Sequence, residues 1–312
     1  MIPKKVILDC DPGSDDAIAM MLAMKSDAID LIGVTTVNGN RIVPKTTENA
    51  LRVVQFMKAS VPVYRGCEEP IICNEIPGRK PGLPRVTLND CHGDFLPLPE
   101  AEIWTEKEHA VFYLVKKLME SEGDIYVAAV GPLTNLAMAL RIEPKIAGKI
   151  KQLVIMGGGH CGANASPAAE FNFYADPEAA KIVMDSAIPK VILPLDATWR
   201  ACLSEEKCKE LAQLGTPEAK VAAALVQKRI DNLKVNDVSE HNYALRHQAG
   251  TVAGAMLYRY DNHMAPIHDA LAIAYLINEN VVTELADANV DIDIAGGLCD
   301  GRMVADFHNT KK

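Results

Sequence analysis

The chain lacks several features that would each point to a class of protein. No apolar run is long enough to span a bilayer, which excludes a helical membrane protein. No basic cluster offsets the formal net charge of −9, which argues against a nucleic-acid backbone or an anionic membrane surface as partner. The 8 cysteines stand at positions 10, 67, 73, 91, 161, 202, 208 and 299, with no CxxC pair among them. Neither a disulfide framework nor a zinc site is expected from that spacing. Met1-Ile2-Pro3-Lys4-Lys5 leads straight into an apolar strand pattern, without the longer apolar region and small-residue cleavage site of a secretory signal. The expectation is a cytoplasmic protein with reduced thiols. Aromatic residues make up only 5% of the chain, yet 49% of its 312 residues are hydrophobic. That is enough for a large core, and residues 1–312 are read as one domain.

What the chain has in excess is acid at one place. Asp9, Asp11, Asp15 and Asp16 crowd into Asp9-Cys10-Asp11-Pro12-Gly13-Ser14-Asp15-Asp16. The apolar run Val6-Ile7-Leu8 precedes them and a helical pattern follows from Ala17. Pro12 and Gly13 mark the turn between strand and helix. Two acids at a helix start would favour the positive end of its dipole, which explains two aspartates and not four. That many carboxylates repel one another unless a positive charge sits among them. An all-oxygen set suits Ca²⁺ or Mg²⁺.

Short runs rich in Val and Ile alternate with helical stretches through the first two thirds. Strands are expected over residues 6–11, 31–37, 61–64, 124–130, 152–156 and 190–194. Helices are expected over 14–25, 45–58, 106–121, 135–140 and 177–185. This alternation predicts an α/β fold with an open, mostly parallel sheet flanked by helices. Sites in such sheets form at the carboxyl ends of the strands, where the aspartate turn, Asn38-Gly39-Asn40, Val130-Gly131-Pro132 and Met156-Gly157-Gly158 all fall. Residues 203–280 read as a mostly helical C-terminal portion, and 290–294 with 303–307 as a terminal strand pair. The long irregular segment 67–99 carries His92-Gly93-Asp94, and a loop of that length is commonly functional.

Other motifs narrow the chemistry. Gly157-Gly158-Gly159-His160-Cys161-Gly162 fits GxGxxG, but no helix pattern opens there to hold a pyrophosphate, so a dinucleotide site is rejected. A DxD after a strand also occurs in aspartyl-nucleophile phosphatases, yet Gly13 stands where those carry Thr or Val. Asn164, Glu170 and Asn172 supply groups able to bond several hydroxyls. His268-Asp269 opens an apolar helical run, where an Asp alone would read as a helix cap.

Taken together these segments resemble the inosine–uridine-preferring nucleoside hydrolase family. The resemblance rests on Asp9 to Ala17, Val37-Asn38-Gly39-Asn40, Gly131-Pro132-Leu133-Thr134-Asn135, Met156-Gly157-Gly158, Ala169-Glu170-Phe171-Asn172, Asp176-Pro177-Glu178-Ala179-Ala180 and His268-Asp269, in the family's order. It implies a Rossmann-like sheet, a bound Ca²⁺ and hydrolysis of the N-glycosidic bond of ribonucleosides. It further implies metal oxygens from Asp11, Asp16, Asp269 and the Val130 carbonyl. Asp15, Asn40, Met156, Asn164, Glu170 and Asn172 would then hold the ribose, and His268 would face the base. Asp11 is read as the base that takes a proton from water, and His268 as the group that assists the leaving base. His92 and Asp9 are further site candidates, Asp9 as support for the turn or the metal. Ser14 stands where the family commonly has Leu. Tyr243, His241 and Arg246, within the weakly patterned 226–247, are candidates for base contact. The family also implies a homodimer or homotetramer. A sugar-binding protein on this scaffold without turnover would need neither Asp11 nor His268.

Overall fold

In the computed structural model, the described residues are 2–72, 75, 92–235, 263–308 and 310, with 233–235 described as backbone only. Cys73, Cys91, His241, Tyr243 and Arg246 lie outside them. Six strands form one parallel sheet: β1 (Lys4–Cys10), β2 (Ile29–Thr36), β3 (Val63–Arg65), β4 (Ile125–Ala129), β5 (Ile150–Met156) and β6 (Lys190–Leu193), in the order β3-β2-β1-β4-β5-β6. The chain leaves β1 toward one edge and returns beside it with β4. The crevice of such a sheet opens between the carboxyl ends of these two strands, which is where Asp11 and Val130 emerge.

Side chains alternate across the sheet as the two-residue period of a strand requires. Val6, Leu8, Cys10, Ala128, Val130, Val154 and Met156 face one core; Ile7, Val127, Ala129, Leu153 and Ile155 face the other. The first core is closed by α1 (Ser14–Lys25), α2 (Val43–Met57) and α10 (His268–Ile277), the second by α3 (Ala110–Met119), α4 (Thr134–Ile142) and α6 (Pro177–Met184). Truncating a wholly buried side chain such as Leu8 or Leu136 to Ala would cost about 2–5 kcal/mol. Among the described residues no helix is long and apolar enough to cross a membrane, and no disulfide joins the six described cysteines.

Among the described residues there are also the α-helices α5 (Phe171–Ala175), α7 (Leu195–Thr198), α8 (Glu205–Gln213) and α9 (Pro217–Val235), and two antiparallel ribbons. The expected terminal pair is present as β9 (Asn289–Ile292) and β10 (Met303–Asp306). A second ribbon was not expected. β7 (Cys202–Ser204) pairs with β8 (Met264–Pro266) inside the stretch read as mostly helical. This ribbon, with the Ile267 N–H donating to the Ala201 carbonyl at 2.9 Å, delivers the start of α10 beside the end of α7. Packing of α10 along α1 then faces His268 and Asp269 toward the aspartate turn.

Candidate active site

The turn after β1 is built by its own acids. Asp16, at the third position of α1, accepts from the backbone N–H of Gly13 at 2.9 Å and of Asp11 at 3.1 Å. An acid there satisfies donors the helix leaves open and suits its dipole. The loop after β2 closes over the turn. Asn40 donates its backbone N–H to Asp11 Oδ2 at 2.6 Å, and its side-chain amide to the Asp11 carbonyl at 3.1 Å and to Asp16 Oδ2 at 3.2 Å. Gly39 is required by this approach, because a Cβ there would collide with the Asp11 carboxylate. Asn49 of α2 donates to the Pro12 carbonyl at 2.9 Å and accepts from the Leu96 N–H at 2.9 Å, which ties the turn to the segment bearing His92. The His92 ring lies where a Gly13 side chain would be. Its Nδ1 accepts from the Ser14 N–H at 3.0 Å, so the ring proton is placed on Nε2.

Asp15, Asp16 and Asp269 each offer a carboxylate oxygen, all within 4.8 Å of one another and all buried. Asp11 adjoins this trio through Asp16 and Asn40. Burial and then the charge of Asp16 hold the Asp11 carboxyl well above its ordinary range. Burial and then Asp15 raise Asp16, and burial followed by Asp15, Asp16 and Asp11 raises Asp269 well above its range. Asp15 goes the other way. Burial alone would raise it, but Arg229, and His92 and His268 when protonated, outweigh that and lower it. Arg229 Nη1 lies 2.7 Å from Asp15 Oδ1 and donates to Ser14 Oγ at 3.2 Å.

Carboxylates left repelling one another in a water-poor crevice form a donor set that fits a hard divalent cation. The Val130 carbonyl belongs to the same crevice. The Asn172 amide donates to it at 2.8 Å and to the Met156 carbonyl at 3.0 Å, bridging the ends of β4 and β5. Asn172 sits near the start of α5, a short helix within the stretch expected to be loop. Glu170 is its N-cap and accepts from the N–H groups of Asn172, Gly158 and Phe173 at 2.9, 2.8 and 3.2 Å. Burial pushes the Glu170 carboxyl up to about 7 against these bonds. Asn164 Oδ1 accepts from the Phe171 N–H at 2.8 Å.

His268 Nδ1 shares a hydrogen bond with Thr198 Oγ1 at 2.8 Å, and Thr198 is buried. Asp9 points away from the trio, into donors. Its Oδ1 accepts from Thr35 Oγ1 at 2.5 Å and Asn135 Nδ2 at 2.8 Å, its Oδ2 is buried without a hydrogen-bond partner, and burial pushes its carboxyl up to about 6.

The structure therefore gathers Asp11, Asp15, Asp16, Asn40, His92 and Asp269 at the end of β1. Val130, Met156 and Asn172 join at the ends of β4 and β5. Arg229 and Thr198 were not expected. Arg229 leaves one signal in the sequence: it lies one helical turn from Leu225 and Val226 and next to Ile230, all buried, so a charge interrupts an apolar face.

A model of the inosine–uridine preferring nucleoside hydrolase family matches residues 6–312. The chain belongs to this family. It is a hydrolase acting on N-glycosyl compounds, with ribonucleoside hydrolase activity. It is 37% identical over 313 residues to the pyrimidine-specific ribonucleoside hydrolase RihB of Escherichia coli O9:H4 (strain HS), covering 98% of this chain and 88% of that protein. A plant nucleoside hydrolase superposes with a TM-score of 0.83 at 28% identity, covering 99% of this chain and 89% of that one. A purine-preferring ribonucleoside hydrolase from Gardnerella vaginalis superposes with a TM-score of 0.80 at 25% identity, covering 99% and 90%. The Rossmann-like reading of the sheet stands with these neighbours.

Proposed function

We propose that this nucleoside hydrolase cleaves ribonucleosides in a Ca²⁺-dependent reaction, with Asp11 as general base and His268 assisting the leaving base. The observation that carries the reading is the convergence of Asp269, brought by α10, with Asp15 and Asp16 of the β1 turn, all three oxygens within 4.8 Å. Asp11, Asp16, Asp269 and the Val130 carbonyl are the oxygens we assign to the cation. When bound, a divalent cation supplies positive charge that offsets these carboxylates and makes a neighbouring water more acidic.

The remaining work falls to side chains. Breaking the bond from ribose to base passes through an oxocarbenium-like sugar. Asp11, buried and held by the Asn40 N–H, takes the proton of the attacking water as oxygen adds to C1′. Asp15 and Asn172 hold the 2′- and 3′-hydroxyls, and Asn40, the Met156 main chain, Asn164 and Glu170 complete the ribose contacts. Carboxylates around the ring favour the positive charge that develops on it. His268, oriented by Thr198, gives a proton to the departing base. The reading includes a role in nucleoside salvage, a cytoplasmic location and a homodimer or homotetramer, the last checked by light scattering.

The test is a panel of inosine, uridine, cytidine, adenosine and guanosine, with free ribose and base followed. Release from at least one is expected, and release from none overturns the reading. His268→Ala should slow nucleoside cleavage by about 10²–10⁴-fold and spare a nitrophenyl riboside, whose leaving group needs no proton. Equal losses on both would remove His268 from that role.

A further inference from the structure

Arg229 is a cation that the chain itself sends into the acidic crevice. It lies on the apolar face of α9, flanked by buried Leu225, Val226 and Ile230, and its guanidinium is buried at the start of α1. There it meets Asp15 Oδ1 at 2.7 Å and Ser14 Oγ at 3.2 Å. A buried guanidinium is strongly unfavourable without a carboxylate to meet it. Asp15, which it contacts, belongs to the only group of three metal-competent acids among the described residues, and the arginine's charge also acts to lower the Asp269 carboxyl of that group. Ser14 Oγ gives the guanidinium a second oxygen beside the Asp15 carboxylate.

We propose that Arg229 sorts the carboxylates of the crevice. By engaging Asp15 it keeps that side chain out of the cation's coordination and turned to the ribose hydroxyls, leaving Asp11, Asp16 and Asp269 for the cation. The inference rests on the function proposed above. Arg229 acts through Asp15 and is a positioning residue.

Its removal then has two effects of opposite sign. Without the guanidinium the crevice carries one more uncompensated negative charge and a carboxylate at liberty to join the cation. Hard-cation affinity rises with the charge of the ligand set. Losing the same contact leaves Asp15 without fixed orientation, so ribose binding weakens. A change that merely loosened the fold would weaken both.

The experiment titrates Ca²⁺ into metal-free full-length protein by calorimetry and measures nucleoside kinetics on the same samples. For Arg229→Met, the Kd for Ca²⁺ should fall about tenfold, and KM for the best nucleoside of the panel should rise on the order of tenfold to a hundredfold with kcat changed less. Arg229→Lys should restore most of the calcium affinity and only part of KM, because a lysine carries the charge without the planar fork. Unchanged or weaker Ca²⁺ binding in Arg229→Met overturns the proposal, as does an absence of Ca²⁺ binding in wild type and variant alike. If Arg229→Met does not fold by circular dichroism, Ser14→Ala must show both signs at smaller size, and the absence of either overturns it. Wild-type protein that binds Ca²⁺ but cleaves none of the panel sinks the parent reading, and the calcium titration still decides whether Arg229 withholds Asp15.

Discussion

Two sets of carboxylates are buried to the same depth in this molecule and are settled in opposite ways. Asp9 and Asp176 are met by donors from the protein. Asp9 has Thr35 and Asn135. Asp176 has the Thr134 hydroxyl at 2.7 Å and the N–H groups of Ile71 and Ala179 at 3.0 and 3.1 Å. Asp11 and Asp16 also accept from backbone and amide N–H groups of the turn and of Asn40, yet after burial the next influence on Asp11, Asp16 and Asp269 is in each case another aspartate, Asp16 for the first and Asp15 for the other two. An acid ringed by N–H and O–H groups is part of the architecture. Acids facing acids are an incomplete structure that a cation completes.

Substitution by the neutral isostere separates the two sets most sharply. Asp269→Asn should lower turnover by about 10³-fold, the loss of several kcal/mol of charge stabilisation. In chelator it should raise the stability of the protein at pH 7, because a carboxyl held well above its ordinary range by burial and then by Asp15, Asp16 and Asp11 is replaced by a neutral group. Thermal melts in excess chelator check this, and a lowered Tm would erase the distinction.

Asp176→Asn should do the reverse. Burial, opposed by its three donors, pushes this carboxyl up to about 6 from its ordinary 3.8. A raised acid contributes its stability below the unfolded value and loses it as pH rises through the folded one. The wild type should therefore shed about 2 kcal/mol between pH 4 and pH 7 at this site, which the Asn variant would not. The penalty of the substitution is then greatest at pH 4, and urea titrations at the two pH values measure it. A penalty that grew with pH would invert the assignment.

The smallest effect falls on a neutral contact. Thr198→Val should cost about tenfold in kcat on nucleosides through the lost orientation of His268, with Thr198→Ser close to wild type and the nitrophenyl riboside spared. A Val variant equally slow on both substrates would make Thr198 a packing residue only.

How far the sequence disclosed this arrangement follows the length scale of each signal. β1, β4 and β5 are continuous apolar runs of buried parallel strands, so their pattern is plain. The acids of the turn declare themselves by density. Asp269 and His268 came through family resemblance, because nothing local distinguishes an Asp at a helix start from a cap. The β7–β8 ribbon left no trace: three-residue strands cannot show alternation, and Leu203 and Ala265, paired in the ribbon, lie far apart in the chain. Arg229 does not stand out in the sequence, because a charged residue in a helix ordinarily faces solvent. Glu170 is legible as a site candidate, but its capping of α5 is not, because the segment reads as loop.

The packing of α10 along α1 has a consequence for how the molecule is made. The β1 turn leaves the ribosome about 250 residues ahead of Asp269. All six strands of the parallel sheet can pair before it appears, because β6 ends at Leu193. During that interval the growing chain carries a row of mutually repelling acids with no fourth side to the crevice, and contacts of such long sequence separation form late. A chain cut short between β6 and α10 would keep the six paired strands and never close the site, so the acidic centre is assembled only after the sheet that carries it.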